Sequence, residues 1–408
     1  MHTFIALATK NVFRNRRRTV ITGLVLVFGA AALILAGGFV SFSFRGLRES
    51  TIRGQLGHIQ VYTRESLLRE EEKPMQFGLE GADSLKARID ALSHVRFTMA
   101  RVEFMGLLSN GDKSAVFLGR GIEPADEVKL SGYTLSADTG RFLGESLDAG
   151  TDAEVVVARG LSRSLKARVG DYLTLMTTTS SGALNAMDVK VVGIYSTGVP
   201  EYDERALMVD LHTAQQLLGT RKVSKLVVVL DETERTQEVA RSIEEMLPGT
   251  ATKRWDELAT FYQAVVRLYN AIFVFLGVII FVIVVLSSSN TMMMSIFERT
   301  REIGTQLAVG TSRIRLLVNF LYEGLMIGIL GGAIGLVIAS ALALLINHAG
   351  IRMPPPPGRT SGYPLFVDLV PEVFAGVFLL IVVTTVLSAL VPAMKASRMK
   401  IVDALGHV

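Results

Sequence analysis

The sequence predicts an α-helical membrane protein with four transmembrane helices and a large mixed α/β extracytoplasmic domain inserted between helices 1 and 2. Three observations predict it. Four apolar runs without a formal charge are each long enough to cross a bilayer. About 220 residues of different, charge-rich composition separate the first run from the second. The 408-residue chain is 50% hydrophobic and 20% charged, with a mean hydropathy of +0.40, whereas a soluble domain carries charge nearer a quarter of its residues.

The apolar runs lie between Arg18 and Arg45, Arg267 and Glu298, Glu323 and Arg352, and Glu372 and Lys395; they hold 26, 30, 28 and 22 residues. A spanning helix needs roughly 20 such residues. The expected spans are therefore 19–44, 267–296, 323–348 and 372–394. The first run, with its basic start, also has the look of a secretory signal. A signal core is only roughly 7–15 residues and ends at a small-residue cleavage site, so an uncleaved anchor is expected.

Orientation follows from the short segments. The stretch 1–18 carries Lys10, Arg14, Arg16, Arg17 and Arg18 and no acidic residue; 297–322 carries Arg299, Arg301, Arg313 and Arg315; the tail 395–408 carries Lys395, Arg398 and Lys400. The loop 349–371 has only Arg352 and Arg359. Lys and Arg collect on the cytoplasmic side, which predicts both termini and 297–322 inside, and the domain 45–266 outside. The net charge of +4 is then a topology signal rather than a nucleic-acid footprint.

Within the inserted domain, 57–63 (GHIQVYT) alternates like a strand, and 83–93 has helical spacing with Asp83 or Ser84 as its cap. Segments 102–108 and 114–122 flank Asn110-Gly111-Asp112 as a hairpin. The run 154–158 (EVVVA) leads into a short helix to Lys166, then to a strand at 172–177. A polar tract, 177–185, reads as an extended hairpin tip before a strand at 188–195. A strand at 226–230 and a helix at 234–246 follow. From Trp255 to Leu268 the apolar residues keep helical spacing with no Pro or Gly, which predicts one stalk helix (255–268) running unbroken into the second span, its apolar face packing on the domain floor.

Several chemistries are excluded. There is no cysteine, hence no disulfide, thiolate metal site or thiol nucleophile. His2, His58, His94, His212, His348 and His407 are scattered singly, without metal-ligand spacing, and there is no Gly-x-Ser-x-Gly elbow. No Gly-Lys dipeptide occurs, so no phosphate loop of the G-x-x-x-x-G-K-[ST] type. ATP hydrolysis, if it drives this chain, is expected in another polypeptide. No bound cofactor or metal is expected here.

Segment 297–314 (FERTREIGTQLAVGTSRI) has Ile303 and Leu307 at i, i+4, Gly310 placed to stop a helix and Thr311-Ser312 placed to cap the next. So short a helix is marginal alone and needs a partner surface. The next run carries Gly324, Gly328 and Gly332 at i, i+4, with Gly331 and Gly335 beside them, the pattern that lets helix backbones approach closely. No ionisable residue is expected inside a span, which disfavours an ion-coupled carrier.

These phrases together resemble the ABC-transporter permeases of the MacB/FtsX/LolC-LolE family (type VII), over essentially the whole chain. The resemblance is carried by ATKNVFRNRRRT (8–19), GHIQVYT, EVVVARGLSRSLKARVGDYLTL (154–175), VVGIYSTGVPEYDERALMVDLHTAQQLLG (191–219), ERTREIGTQLAVGTSR (298–313), LYEGLMIGILGGAIG (321–335) and VPAMKASRMKIVDAL (391–405). It implies a subunit of the bacterial inner membrane that transmits motion from a partner ATPase, present in two copies with its own ATP and Mg, to the periplasmic domain. It implies a second permease, identical or paralogous, and a periplasmic carrier or adaptor.

ATPase-coupling contacts map by resemblance onto Glu298, Arg299, Arg301, Glu302, Gly304, Leu307 and Gly310. Length and layout are nearest to LolC and LolE, which implies lipoprotein release. The alternatives are efflux of a drug, peptide or lipid with an adaptor, and FtsX-like regulation of a cell-wall hydrolase. The 177–187 tip lies where LolC carries its carrier-binding hook but lacks proline, so the hook is not carried over. Pro354–Pro357 reads as a rigid loop. An amphiphile taken from the membrane would meet apolar residues such as Phe39, Phe42, Tyr269 and Phe273.

Overall fold

The computed structural model describes residues 16–68, 75–131, 139–144, 153–197, 200–354, 362–401 and 404. Most of the expected basic segment 1–18, residues 355–357 of the proline run and the end of the tail lie outside them. The chain divides into two compact units, one of residues 46–264 with 354–363, the other of 1–45, 265–353 and 364–408. In chain order the helices are α1 (Arg16–Thr51), α2 (Arg64–Leu68), α3 (Ala82–Asp90), α4 (Pro124–Ser131), α5 (Arg159–Leu165), α6 (Pro200–Asp203), α7 (Leu211–Leu218), α8 (Thr236–Met246), α9 (Trp255–Leu258), α10 (Thr260–Glu298), α11 (Thr300–Ala308), α12 (Arg313–Ala349) and α13 (Pro371–Ser397). The strands are β1 (Ile59–Thr63), β2 (Val95–Ser109), β3 (Ser114–Ile122), β4 (Thr139–Gly140), β5 (Glu154–Ala158), β6 (Tyr172–Thr178), β7 (Leu184–Tyr195), β8 (Ala206–Asp210), β9 (Lys225–Leu230), β10 (Thr250–Arg254), β11 (Arg352–Met353) and β12 (Tyr363–Pro364).

The first unit is built on one ten-stranded sheet in the order β10-β1-β9-β2-β3-β8-β5-β7-β4, with β6 pairing both β2 and β7. That extra pairing closes β2-β3-β8-β5-β7-β6 into a ring. β2 makes it possible by changing neighbours along its length: Phe97 to Arg101 pair with β9, whereas Leu107 to Ser109 pair with β6. Gly106 lies at the crossing, where a Cβ would collide with the Met176 carbonyl oxygen.

Alternation builds the core. Val155 and Val157 of β5, Leu207 and Val209 of β8, and Leu173 and Leu175 of β6 enter one cluster; Val156, Ala158, Ala206 and Met208 enter a second on the opposite face. Strands buried on both faces read as continuous apolar runs, as β5 and β9 do. The β2–β3 hairpin turns as expected at Asn110, whose Oδ1 accepts from the backbone N–H of Asp112 and Lys113 at 3.0 and 2.7 Å; Gly111 takes φ +93°.

Three local expectations differ. Helix α3 starts at Ala82 with left-handed Gly81 as its N-cap and no side-chain cap; Asp83 falls inside the first turn, where its charge faces the helix dipole. The polar tip is short and tied down rather than extended. Ser180 N donates to Leu218 O at 2.8 Å, and Asn185 Nδ2 to Leu217 O at 2.8 Å. The stalk is not unbroken: α9 ends at Ala259 (φ −82°, ψ 62°) and α10 begins afresh. Trp255 is buried with Ile52 and Ala259 and stacks edge-on with Tyr262 at 5.2 Å. Burying that pair on the domain bends the backbone where an Ala, free of any helix-breaking signature, gave no warning.

His58 lies where the chain leaves the π-turn Ile52–Leu56. Its Nδ1 accepts from Leu230 N–H at 3.1 Å, and Nε2 lies 3.2 Å from Thr233 Oγ1. Burial lowers its pKa to about 4; Glu49 and Glu234 act to raise it, Arg53 and Arg48 to lower it. A folded pKa below the unfolded value means the unfolded chain gains the proton first, so stability falls as pH drops from about 6.5 towards 4. Denaturation at pH 7 and pH 4.5, followed by fluorescence of the single tryptophan, should show roughly 2–3 kcal/mol more pH-dependent loss for the wild type than for His58→Asn. Equal losses would show that protonation of His58 is not coupled to folding.

In the second unit four helices, α1, α10, α12 and α13, are long and apolar enough to cross a membrane. They extend past the charges that bound the runs. α1 continues through Arg45 and Arg48, and α12 starts at Arg313 rather than near Glu323, because a formal charge at a membrane edge does not stop a helix. Leu26, Ala30, Ile34, Val284, Ala339, Val377 and Ile381 form the main core of this bundle.

Gly324, Gly328 and Gly332 face α13: a Cβ would meet Ala389 Cβ at 2.9 Å, collide with Thr385 Oγ1, and meet the Phe378 ring at 3.0 Å. Gly331 and Gly335 face α1, at 2.8 Å from Leu26 Cδ1 and 2.6 Å from Ala30 Cβ. At one end of the bundle Arg45 pairs with Asp368 at 3.1 Å, and Asp368 N donates to Gly38 O at 3.2 Å.

Candidate functional site: the α10–α12 turn

Helix α10 ends at Glu298 because Arg299 leaves the helical region (φ −111°, ψ 16°). Thr300, buried, secures the bend by donating from Oγ1 to Phe297 O at 2.9 Å and Ile296 O at 3.2 Å. Helix α11 then lays Ile303 on a cluster of Met292, Ile296, Leu316, Phe320, Ala389, Ala393 and Ala396, with Leu307 half-buried against it. Gly304 is buried beside Ile303. The helix stops at Gly310 (φ +96°), whose N–H donates to Leu307 O at 3.1 Å. Ser312 caps α12, accepting from Arg315 N at 3.3 Å.

The opposite face is open. Arg301, Thr305, Gln306, Ala308, Arg313 and Arg315 are exposed. Two apolar side chains stand beside them in solvent: Val309 is 82% exposed and Ile314 76%. Isolated exposed apolar residues are ordinary. Two flanking a tight turn amid guanidinium groups, on a segment already anchored from behind, form a surface that another molecule can cover.

The seven residues read as one group from the sequence separate. Glu298, Arg301 and Gly310 lie on the exposed side. Arg299 turns inward and pairs with half-exposed Glu302 at 3.2 Å, and Arg299 Nη1 lies 3.5 Å from Glu323 Oε2. Gly304 is packed away and Leu307 half-buried. The sequence reading missed Val309 and Ile314; their signal was an apolar residue on either side of a Gly-Thr-Ser turn. It also placed Glu323 at a membrane edge. Glu323 instead sits within α12, 6% exposed, where the Arg299 guanidinium makes its burial tolerable.

The residues suggested for an amphiphile, Phe39, Phe42, Tyr269 and Phe273, are all half-buried. Phe42 packs on Phe366 at 5.2 Å, Tyr269 meets Phe44 edge-on at 5.9 Å, and Phe273 packs among the bundle core. Among the described residues no group of His, Asp and Glu is arranged to hold a metal ion.

Two family models match the chain. One, described as a MacB-like periplasmic core domain, covers residues 19–246; the other, described as FtsX-like permease C-terminal, covers 274–401. Among curated relatives, the macrolide export ATP-binding/permease protein MacB of Sodalis glossinidius is 26% identical over 98% of this chain and 60% of its own length. The pyoverdine export ATP-binding/permease protein PvdT of Pseudomonas putida is 24% identical over 96% and 57%. An uncharacterized ABC transporter permease of Methanocaldococcus jannaschii is 22% identical over 98% of this chain and 97% of its own.

The chain thus spans at most about three fifths of the MacB and PvdT relatives it matches. Among solved structures, the periplasmic region of MacB from Actinobacillus actinomycetemcomitans covers 52% of this chain and 95% of its own, at 15% identity and a TM-score of 0.36. Carrying one domain model after the other, over the α/β unit with its first helix and over the helices that follow, the chain belongs to the family of permeases with a MacB-like periplasmic core and an FtsX-like C-terminal domain.

Proposed function

We propose that this chain is the membrane subunit of an ATP-binding cassette complex of the bacterial inner membrane, and that a separate ATPase docks on the open face of the α10–α12 turn. The observation that carries this is the division of the segment 301–314 into an anchored side, Ile303 and Gly304 of α11, and an exposed one, Arg301 of α11 with Val309 and Ile314 on either side of the turn into α12. ATP and Mg belong to that partner, two copies serving a pair of permeases, identical or paralogous. Motion enters at α11 and reaches the periplasmic domain through α10. The Lys and Arg distribution supports cytoplasmic termini and a cytoplasmic α11.

The cargo class is an amphiphile drawn from the outer leaflet, handed on with a periplasmic carrier or adaptor. Export is favoured over lipoprotein release. The names of the relatives support it, and the hairpin tip is short, hydrogen-bonded back onto α7 at Ser180 and Asn185. A cargo near Phe42 or Tyr269 would first displace Phe366 or Phe44.

Purification of the tagged chain from native membranes in mild detergent should bring down a P-loop ATPase. Arg301→Glu with Val309→Asp should reduce its recovery at least about tenfold, since charge and apolar anchor are both lost at a packed contact. Undiminished recovery would remove the docking face. Because the chain has no cysteine, single replacements report sidedness cleanly: Asp112→Cys should react with an impermeant thiol reagent in spheroplasts, and Ser312→Cys only after permeabilisation. The reverse pattern would invert the topology.

A further inference from the structure

We propose that Arg299 is a positioning residue: shared between Glu302 and Glu323, it locks the docking helix onto α12, so that displacement of α11 passes to α12 as well as to α10. The inference rests on the reading of α11 as a docking helix and deepens it, by naming the contact through which the second connection runs.

The geometry points to this role. Arg299 is the residue at which α10 breaks and from which α11 starts. Its guanidinium reaches Glu302 Oε2 at 3.2 Å through Nε, one turn into α11, and Glu323 Oε2 at 3.5 Å through Nη1, on α12. One planar group with a rigid fork of donors therefore ties the junction of α10 and α11, and the first turn of α11, to the body of α12. Glu323 is 6% exposed and lines one concavity with Arg299, Ile303, Leu316 and Phe320. A carboxylate so placed has no solvent to turn to when α11 moves, so separating it from Arg299 would leave a buried charge unpaired.

The same concavity holds Asn319, whose Oδ1 is buried without a hydrogen-bond partner, and the stem of Gln306. A purely apolar seat would have allowed α11 to slide on Ile303. The ion pair instead gives the contact one register. Peptide bonds already join α10 to α11 at Arg299, whereas the joint between α11 and α12 is the turn 309–312, which holds left-handed Gly310. The lock bypasses that joint.

The test uses the full-length chain and the complex it purifies with. Glu323→Gln and Arg299→Gln should each raise amide exchange at 300–308 at least about tenfold, with the double variant no looser than either single one and the β9 amides unchanged. Unchanged exchange at 300–308 in both single variants overturns the lock. In the purified complex, Glu323→Gln should retain the ATPase subunit at wild-type recovery, because the exposed docking face is untouched. A cysteine introduced at His348, exposed near the far end of α12, should change its modification rate on ATP addition in the wild-type background and lose that change with Glu323→Gln. Persistence of the ATP-driven change overturns the proposal, since a merely structural role for the pair would predict it. If the wild-type chain recovers no ATPase, the docking reading falls, and the exchange result still decides whether Arg299 fixes α11.

Discussion

Glu127→Ala should destabilise the α/β unit by about 3–5 kcal/mol, the cost of removing one partner of a fully buried ion pair. Arg101 on β2 is 1% exposed and Glu127 on α4 is 0%. The guanidinium donates in a fork, Nε to Oε2 at 3.1 Å and Nη2 to Oε1 at 2.6 Å. Truncating the acid leaves a cation with no water and removes the strap that holds α4 over the sheet. Replacing both charges at once, with Arg101→Met and Glu127→Leu, should restore much of the loss, because apolar groups of similar size need no desolvation offset. Urea denaturation of the full chain, read by fluorescence of buried Trp255, measures both. A single variant within about 1 kcal/mol of wild type would mean that Arg101 finds a neighbour on the same face.

That pair also shows what the sequence could not display. Arg101 and Glu127 lie in different elements, and nothing in their spacing announces contact. A charged residue in an alternating strand reads as solvent-facing, and Arg101, Glu103, Lys225 and Arg120 all share that signature. Yet Arg101 is covered by α4, Lys225 Nζ pairs with Glu103 at 2.8 Å, and Arg120 stacks on Tyr202 with its guanidinium carbon 5.4 Å from the ring centre. Burial of charge depends on what is laid over the strand, which is long-range information.

The closed ring of six strands was equally hidden. The strands β1, β2, β3, β5, β6, β7 and β9 all appear near their expected places. β8, apolar from 206 to 209 and closed by Asp210, and β10, polar and half-buried at the sheet edge, give weaker signals. Which strands pair depends on parallel crossovers such as β3 with β8 and β5 with β7, and no local pattern encodes those.

The membrane part was more legible, because length and hydropathy alone specify a spanning helix. Even there, charges bounded the runs but not the helices. Glu323 lies about three turns inside the third spanning helix, and its partner Arg299 is one of the seven residues that resemblance assigns to ATPase coupling. Helical periodicity did separate Ile303 and Leu307 from Arg301. It could not say that Arg299 is turned onto Glu323 of α12.

Gly328→Leu should lower bundle stability by about 3 kcal/mol, the upper part of the range for overpacking a close contact. Its effect comes from the backbone rather than from the new side chain's tip. A Cβ at this position already collides with Thr385 Oγ1, and it lies 3.2 Å from the Val382 Cα. Thr385 cannot swing aside freely, because its hydroxyl donates to Ile381 O at 3.0 Å and Val382 O at 2.9 Å within α13. The helices must therefore part along their closest line of approach, where small residues gain van der Waals contact that lipid does not replace. Gly277→Leu on α10 is the matched control: nothing lies within 4 Å of a Cβ there, so it should be neutral or slightly stabilising through helix propensity. Removing the obstructing hydroxyl with Thr385→Ala should recover part of the loss in Gly328→Ala. Thermal unfolding in detergent, compared across these variants, decides the matter. Equal effects at 277 and 328 would show that glycine acts through propensity alone and that α12 and α13 do not depend on this contact.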